Sequence, residues 1–530
     1  MRMYRIVKRP SRKFRTRSTG GEEQAPPTPS FLCGDLERDV EAFKELLGES
    51  PDIVIKEFNF GFEKKARGAL LYVDGMTNKQ LVDDGILRPL MFDTAYVQQA
   101  EDGKDGIDGI NRDLIAASDV KQYTEIGALV DDLLSGNTLL LVHGCKQGLS
   151  IGDRQFDKRA VDAPATETVV RGPREGFTEN LRTNTSLLRR KVKNPRLRFE
   201  SFKIGKQTQT DIAVAYIEGI AKSNLLVEVR KRLNGIDTDA ILESGYIEAY
   251  IEDAPNSIFA TVGNSERPDV IAGRLMEGRV AILVDGTPFV LTVPMLFSEN
   301  FINPEDYYVR SYFASYLRLL RYFCYFISVL APGIYVALTT FHQELIPTQL
   351  LFTMAAGLNG VPFPAVVEAT IMVITFDILR EAGIRLPNPI GAAVSIVGAL
   401  VMGQASVEAG LVGPFMVIII AITAITNFVV PALTDSTVLL RYVFLVAGGL
   451  LGGFGIFAVL LAVFLHLIGL RSFGVPILSP FAPLSIKDMK DALIRMPFWS
   501  MNRRPRLLAR PDNRKRQKDG MRPSKPGQED

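Results

Sequence analysis

Charge is divided unevenly along the chain, and that division limits what it can fold into. The first three hundred residues are densely charged, whereas 325 to 470 hold only a handful of ionisable side chains. Apolar runs fall at about 323–341, 363–379, 390–407, 415–433 and 442–470. Several are long enough to cross a hydrocarbon core of ~30 Å, which takes about twenty helical residues. The bulk figures of 47% hydrophobic, 23% charged and net charge +2 average over two unlike halves. They describe neither.

The charged half compares with itself. FNFGFEKKARGALLYVDGMTNKQLV from Phe58 aligns without a gap on FKIGKQTQTDIAVAYIEGIAKSNLL from Phe202, an offset of 144. Further on, LLSGNTLLLVHGCKQGLSI from Leu133 matches LMEGRVAILVDGTPFVLTV from Leu275, an offset of 142. Each copy reads as α/β. ALLYVDG and AVAYIEG are β-rich runs ending where glycine turns the chain. Helices are expected at NKQLVDDGILRPLM and at SNLLVEVRKRLNGI, the latter with Ser223 as N-cap. TLLLVHGCKQGLSI and VAILVDGTPFVLTV read as hairpins around His-Gly and Asp-Gly turns. The fold class is therefore an α/β soluble half made of two duplicated subdomains, followed by an all-α multi-pass transmembrane domain. The expected divisions are a basic, Pro-rich disordered tail (1–32), subdomain 1 (33–155), a basic helical connector (156–198) and subdomain 2 (199–296). After these come an interfacial helix (297–322), a transmembrane helical domain (323–472) and a cytoplasmic basic tail (473–530).

No catalytic, cofactor or metal site emerges from the charged half, so the chain reads as a non-enzyme. His143 sits at a turn without a neighbouring His or Cys, and GCKQGLS lacks the spacing and ending of a phosphate loop. Asp74, Glu218 and Asp285 precede glycine, which turn chemistry explains. Three cysteines, Cys33, Cys145 and Cys324, make neither a disulfide framework nor a zinc site. No apolar run precedes Cys33, which argues against a signal peptide and keeps the charged half cytoplasmic. Eight Lys/Arg among the first twenty residues suit an anionic membrane surface better than nucleic acid, because the chain is already membrane-bound.

The sequence DYYVRSYFASYLRLLRYF (306–323) mixes aromatics with Arg310, Arg318 and Arg321, as a helix at headgroup level would. Arg380, Arg385 and the tail after Arg503 place both termini in the cytoplasm by the positive-inside rule, so the crossings are even in number. Four and six both satisfy this, with 348–364 or 442–470 as the irregular element. Polar groups inside apolar runs face protein or water, since a charge at bilayer depth costs at least about 2.5 kcal/mol. The candidate ion-pathway residues are Gln404, Ser406, Glu408, Glu368 and Asn427; Asp377 reads instead as a partner of Arg380. Gly448–Gly452 and Gly449–Gly453 have the spacing of close helix packing.

Four blocks carry a family resemblance. GPREGFTENLRTNTSLLRRKV (172–192), SIFATVGNSERPDVIAGRLMEGRVAILVDGTPFVLTVP (257–294), REAGIRLPNPIGAAVSIVGALVMGQASVEAGLVGP (380–414) and LRSFGVPILSPFAP (470–483) resemble the A subunits of GerA-type spore germination receptors. The resemblance implies a multi-pass protein of the spore inner membrane. It would assemble as an oligomeric ring around a germinant-gated cation channel, with a transporter-like B subunit and a lipoprotein C subunit as partners. The alternative is a paralogous spore membrane protein of the same family, although the full two-subdomain N-terminal half favours the receptor subunit. A non-conducting scaffold for other germination proteins is a third reading, from a different class.

Overall fold

The computed structural model describes residues 30–60, 66–92, 115, 119–155, 164, 166–385, 398, 403–513 and 515–516. Most of the N-terminal tail, most of the 390–407 run and the end of the C-terminal tail lie outside the described residues.

Subdomain 1 begins with α1 (Leu36–Leu47), β1 (Ile53–Phe60) and β2 (Ala66–Val73). A π-helical stretch Leu81–Leu87 runs into α2 (Arg88–Phe92), and β3 (Val120–Tyr123), α3 (Ile126–Leu133), β4 (Thr138–Val142) and β5 (Gly148–Ile151) follow. Subdomain 2 repeats the plan with α4 (Leu181–Lys191), β6 (Leu197–Ile204), β7 (Thr210–Ile217), α5 (Ser223–Asn234) and α6 (Ser244–Ile251). It ends in β8 (Gly263–Ser265), α7 (Pro268–Met276), β9 (Val280–Val284) and β10 (Val290–Val293). Both sheets are antiparallel with the same strand order, β1-β2-β4-β5-β3 and β6-β7-β9-β10-β8. The central strands β4 and β9 are buried along their whole length, which is why TLLLV and VAILV carry no polar alternation after their first residue.

The duplication extends to single hydrogen bonds. Gly144 N donates to Gly34 O and Gly286 N to Glu179 O, each at 2.8 Å. His143 Nδ1 accepts from Leu36 N at 3.4 Å, and Asp285 Oδ1 accepts from Leu181 N at 3.0 Å. His143 and Asp285 thus do one job, anchoring the first helix of each copy to a hairpin turn. Gly144 and Gly286 allow that turn by adopting φ +86° and +88°.

Three sequence expectations change. The helix expected in a connector, α4, is the counterpart of α1, and its Leu187 and Leu188 are buried in the core of subdomain 2. Asn180 caps it through bonds from Arg182 N and Thr183 N, as Asp35 caps α1 through Glu37 N. Ser223 is the first helical residue of α5 rather than its N-cap, which is Lys222. Among the described residues there is no separate interfacial helix at 297–322. Residues 297–307 form two short 3-10 turns, and α8 (Ser311–Thr340) then runs unbroken through the arginine-rich segment and the first apolar run.

The helical region continues with α9 (Thr348–Leu358), α10 (Ala365–Arg385), α11 (Pro414–Asn427) and α12 (Thr434–Gly469). Among the described residues, two helices are long and apolar enough to cross a membrane, Ser311–Thr340 and Pro431–Gly469; α9 and α11 are apolar but shorter. The two long helices cross with almost no space between them. A Cβ on Gly448 would lie 2.6 Å from Gly333 O, and one on Gly333 would lie 2.7 Å from Phe444 O. Close packing, read from the glycine spacing, is what the glycines provide. At Gly452 α12 kinks with φ 62°, beside His342, whose Nε2 accepts from Gly453 N at 3.0 Å.

A strap, the described residues of 473–516, completes subdomain 2. The described part of the segment expected as a cytoplasmic tail is packed, with Leu508 and Ala509 almost fully buried. Arg510 N donates to Ile220 O at 3.0 Å, the bond that Gln155 N makes to Met76 O in subdomain 1 at the same length. Lys222 Nζ also donates to Leu507 O at 2.5 Å.

Candidate functional site

The sequence-chosen polar residues separate into three places. On the 403–413 segment Gln404 Nε2 donates to Glu408 Oε1 at 2.9 Å, and both side chains are exposed. Ser406 serves the following turn, its carbonyl accepting from Leu411 N at 2.9 Å. Glu368, from α10, is fully buried, and its Oε1 accepts from Gly413 N at 2.6 Å. Gly413 is the N-cap of α11 and Pro414 opens it, so the carboxylate faces the positive end of that helix dipole. The other oxygen, Oε2, is buried without a hydrogen-bond partner. Asn427 closes the same 14-residue helix, buried, with its Oδ1 unpartnered. At about 1.5 Å per residue, Glu368 and Asn427 mark opposite ends of a span of about 20 Å.

Two clusters were missed by sequence reasoning. In the first, Asp377 bonds across helices rather than to Arg380. Tyr442 donates to its Oδ2 at 2.8 Å, and the Arg441 guanidinium lies 3.6 Å from Oδ1. Arg441 is 1% exposed and also donates to Ser328 O at 3.1 Å. Asp377 turns toward α12 because a buried arginine there needs a counter-charge. Arg380 keeps its Nε and Nη1 unpartnered.

In the second cluster Arg318 and Arg321, expected beside lipid headgroups, pair with carboxylates of the chain itself. Arg318 is fully buried at the root of α8, bonded through Nε to Asp306 Oδ2 and through Nη1 to Asp491 Oδ1, both at 2.8 Å. Arg321 donates to Asp306 from the other side, at 2.8 Å to Oδ2. Tyr307 donates to Asp491 Oδ2 at 2.9 Å, and burial raises its phenol well above the ordinary value. Asp306 follows Pro304 by two residues in a capped 3-10 turn, and Asp491 comes from the strap. Only a signal linking 306 to 491 could have revealed this, and one sequence offers none.

Next to this cluster a cavity of ≈ 380 Å³ lies between α7, the 296–308 segment and the strap. Arg279 enters it, ion-paired to Glu299 and donating to Glu277 Oε2 at 3.1 Å. Burial raises the Glu277 carboxyl above the ordinary range. Between the two subdomains a second cavity of ≈ 280 Å³ adjoins a buried clasp. There Arg189 donates from Nε and Nη2 to Asp52 at 2.9 and 3.0 Å, with neither side chain more than 2% exposed.

Fold and site together define a class: a tandem α/β head fused to an apolar helical region and locked to it by buried arginine–carboxylate clusters. The chain belongs to the GerA family, since the Bacillus/Clostridium GerA spore germination protein model matches residues 41–507. It is 44% identical over 499 residues to spore germination protein KA of Bacillus subtilis, covering 94% of this chain and 91% of that one. It is 40% identical over 487 residues to the uncharacterized membrane protein YfkQ of the same organism, covering 91% and 93%. Among solved structures, the N-terminal domain of the A subunit of the Bacillus megaterium spore germinant receptor GerK3 is 39% identical. It covers 51% of this chain and 98% of its own, with a TM-score of 0.41.

Proposed function

We propose that this chain is the membrane subunit of a nutrient-sensing spore germination receptor. In this reading it sits in the spore inner membrane as a multi-pass protein with both termini cytoplasmic. Copies form a ring around a germinant-gated cation path, with a transporter-like B subunit and a lipoprotein C subunit as partners. The observation that carries the reading is the span of the family match, which takes in both the α/β tandem and the apolar helices. Polar groups available to such a path are Glu368 and Asn427 at the two ends of α11, with Gln404, Ser406 and Glu408 on the segment leading to it. Glu368 is the most telling of these, because it is a fully buried carboxylate with one oxygen unpartnered.

The test is potassium release from dormant spores after a panel of nutrients, with the chain present, deleted, or carrying Glu368→Gln. Release lost on deletion and altered by Glu368→Gln supports the reading. Unchanged release after deletion rejects it. A second reading, a paralogous membrane protein or non-conducting scaffold, draws on the near-full-length similarity to YfkQ. In that case deletion leaves ion release intact and depletes other germination proteins from the membrane.

A further inference from the structure

The cavity beneath the strap is built differently from the matching corner of subdomain 1. In subdomain 1 the chain closes its own corner: Gln155 N donates to Met76 O at 3.0 Å and Asn78 N to Asp153 O at 2.9 Å. Arg154 Nε reaches Asn137 Oδ1 there at 2.7 Å. After β10 the second copy leaves toward α8, and the strap returns in place of Gln155 without filling the corner. The space that remains, ≈ 380 Å³, falls in the range of small-molecule sites, about 300–1,000 Å³.

Gly273 is a second, independent sign that the space is kept open. It lies inside α7 and lines the cavity, and a Cβ there would meet no atom within 4 Å. Glycine within a helix is disfavoured relative to alanine, so neither a turn nor a close approach accounts for it.

The walls state what would bind. Val270, Leu296, Ile302, Pro480, Ala492 and Phe498 supply an apolar surface. The acids beside them are already matched: Glu277 and Glu299 by Arg279, Asp269 by Arg267 and Asp491 by Arg318. Asp488 and Arg516 add opposite charges. Arg516 is exposed to solvent, and Asp488 accepts from Ser485 Oγ at 2.8 Å. A charged ligand buried among the matched groups would therefore find no free counter-charge there and would lose its hydration. The Glu277 carboxylate, 26% exposed, can still accept a hydrogen bond. We propose that this cavity binds a neutral amphipathic small molecule, with an apolar body and a hydrogen-bond-donating head such as a primary amide.

The test uses the purified full-length chain in nanodiscs, titrated calorimetrically with hexanamide, hexanoate and hexylammonium. Saturable binding of hexanamide is expected, with both charged analogues at least ~10-fold weaker. Gly273→Phe fills the cavity and should abolish binding while the near-UV circular dichroism stays native. Should that variant misfold, Met276→Trp narrows the cavity from an exposed position and serves the same purpose. Absence of saturable hexanamide binding overturns the proposal. So does equal binding of the charged analogues, or unchanged binding to a folded cavity-filling variant. The readout is binding alone, so it is separable from the receptor reading.

Discussion

Replacing Asp52 by alanine should loosen the seam between the two subdomains. The carboxylate takes two hydrogen bonds from Arg189, which also donates to Leu197 O at 2.9 Å and to Ser50 Oγ at 3.5 Å and lies over the Phe199 ring, 5.1 Å from its centroid. With Asp52 gone, a fully buried guanidinium keeps its charge and loses its counter-ion. Breaking a buried pair from one side costs about 3–5 kcal/mol, whereas exchanging both partners for apolar residues of similar volume is near neutral or stabilising. At about 1.4 kcal/mol per decade, opening of the seam becomes roughly 10²- to 4 × 10³-fold more populated. Hydrogen exchange at the Phe199 amide reports it, because that N–H donates across the seam to Ser50 Oγ at 3.0 Å. The single variant should exchange faster by that factor, and Asp52→Leu with Arg189→Met should return close to the native rate. If the single variant exchanges within about tenfold of native, Arg189 finds solvation in the opened seam and the stranded-charge argument is wrong.

Other consequences are simpler to state. Gly333→Ala and Gly448→Ala each place a Cβ against a backbone oxygen at 2.7 or 2.6 Å, so each should lower the thermal stability of the helical region in detergent. Asp377→Ala strands buried Arg441 and should reduce the amount of chain recovered from membranes, whereas Asp377→Asn, which still accepts from Tyr442, should be milder. Burial raises the Asp153 carboxyl to about 6 from 3.8, so the folded state binds its proton more tightly than the unfolded state. Its contribution to stability is therefore full below pH ~4 and lost as pH rises to ~6. Denaturation of the native chain and Asp153→Asn across that window should show their stability difference shrinking with pH, and a constant difference would reject the assignment. Glu368→Ala removes the acceptor for Gly413 N and should destabilise the start of α11 by about 1 kcal/mol, with Glu368→Gln closer to native, both read by thermal unfolding.

The duplicated fold was legible because the repeat preserves what the backbone needs. Gly75 and Gly219 adopt φ +85° and +83° after equivalent strands, and such positions survive divergence when side chains do not. The same logic failed for α4. The repeat slips by one residue before the strands, so that Asp35 matches Asn180 at an offset of 145, and basic side chains disguise a helix whose Arg189 is a buried partner of Asp52. The candidate site was legible only as composition. Glu368 and Asn427 stood out as polar groups in apolar runs, but that signal cannot tell that a single helix separates them. Arg318 and Arg441 were harder still, because their carboxylates come from Asp306, Asp491 and Asp377 on other segments.

Subdomain 2 is the part through which the α/β tandem holds the long helices. Asp491 and Asp306 fix the root of α8, and Ser257 Oγ lies 2.9 Å from His466 Nε2 near the end of α12. Between those two points, Ser472 Oγ donates to Thr261 O at 2.6 Å while accepting from Met295 N at 2.9 Å. The strap then runs from Asp491 to Arg510, which completes the β7 turn of the same subdomain. A tilt of α8 against α12 therefore strains subdomain 2 directly, and it reaches subdomain 1 across the Asp52–Arg189 clasp. Loosening the clasp and loosening the strap should consequently have different reach. The first uncouples one copy from the other, whereas the second, for example through Asp491→Ala, removes the carboxylate that pairs with Arg318 and loosens the strap's hold on α8, leaving the Arg318 bond to the Asp491 carbonyl and the Ser315–Arg495 bonds. Hydrogen exchange separates them, because Asp491→Ala should deprotect the strap and the root of α8 while leaving the Phe199 amide at its native rate.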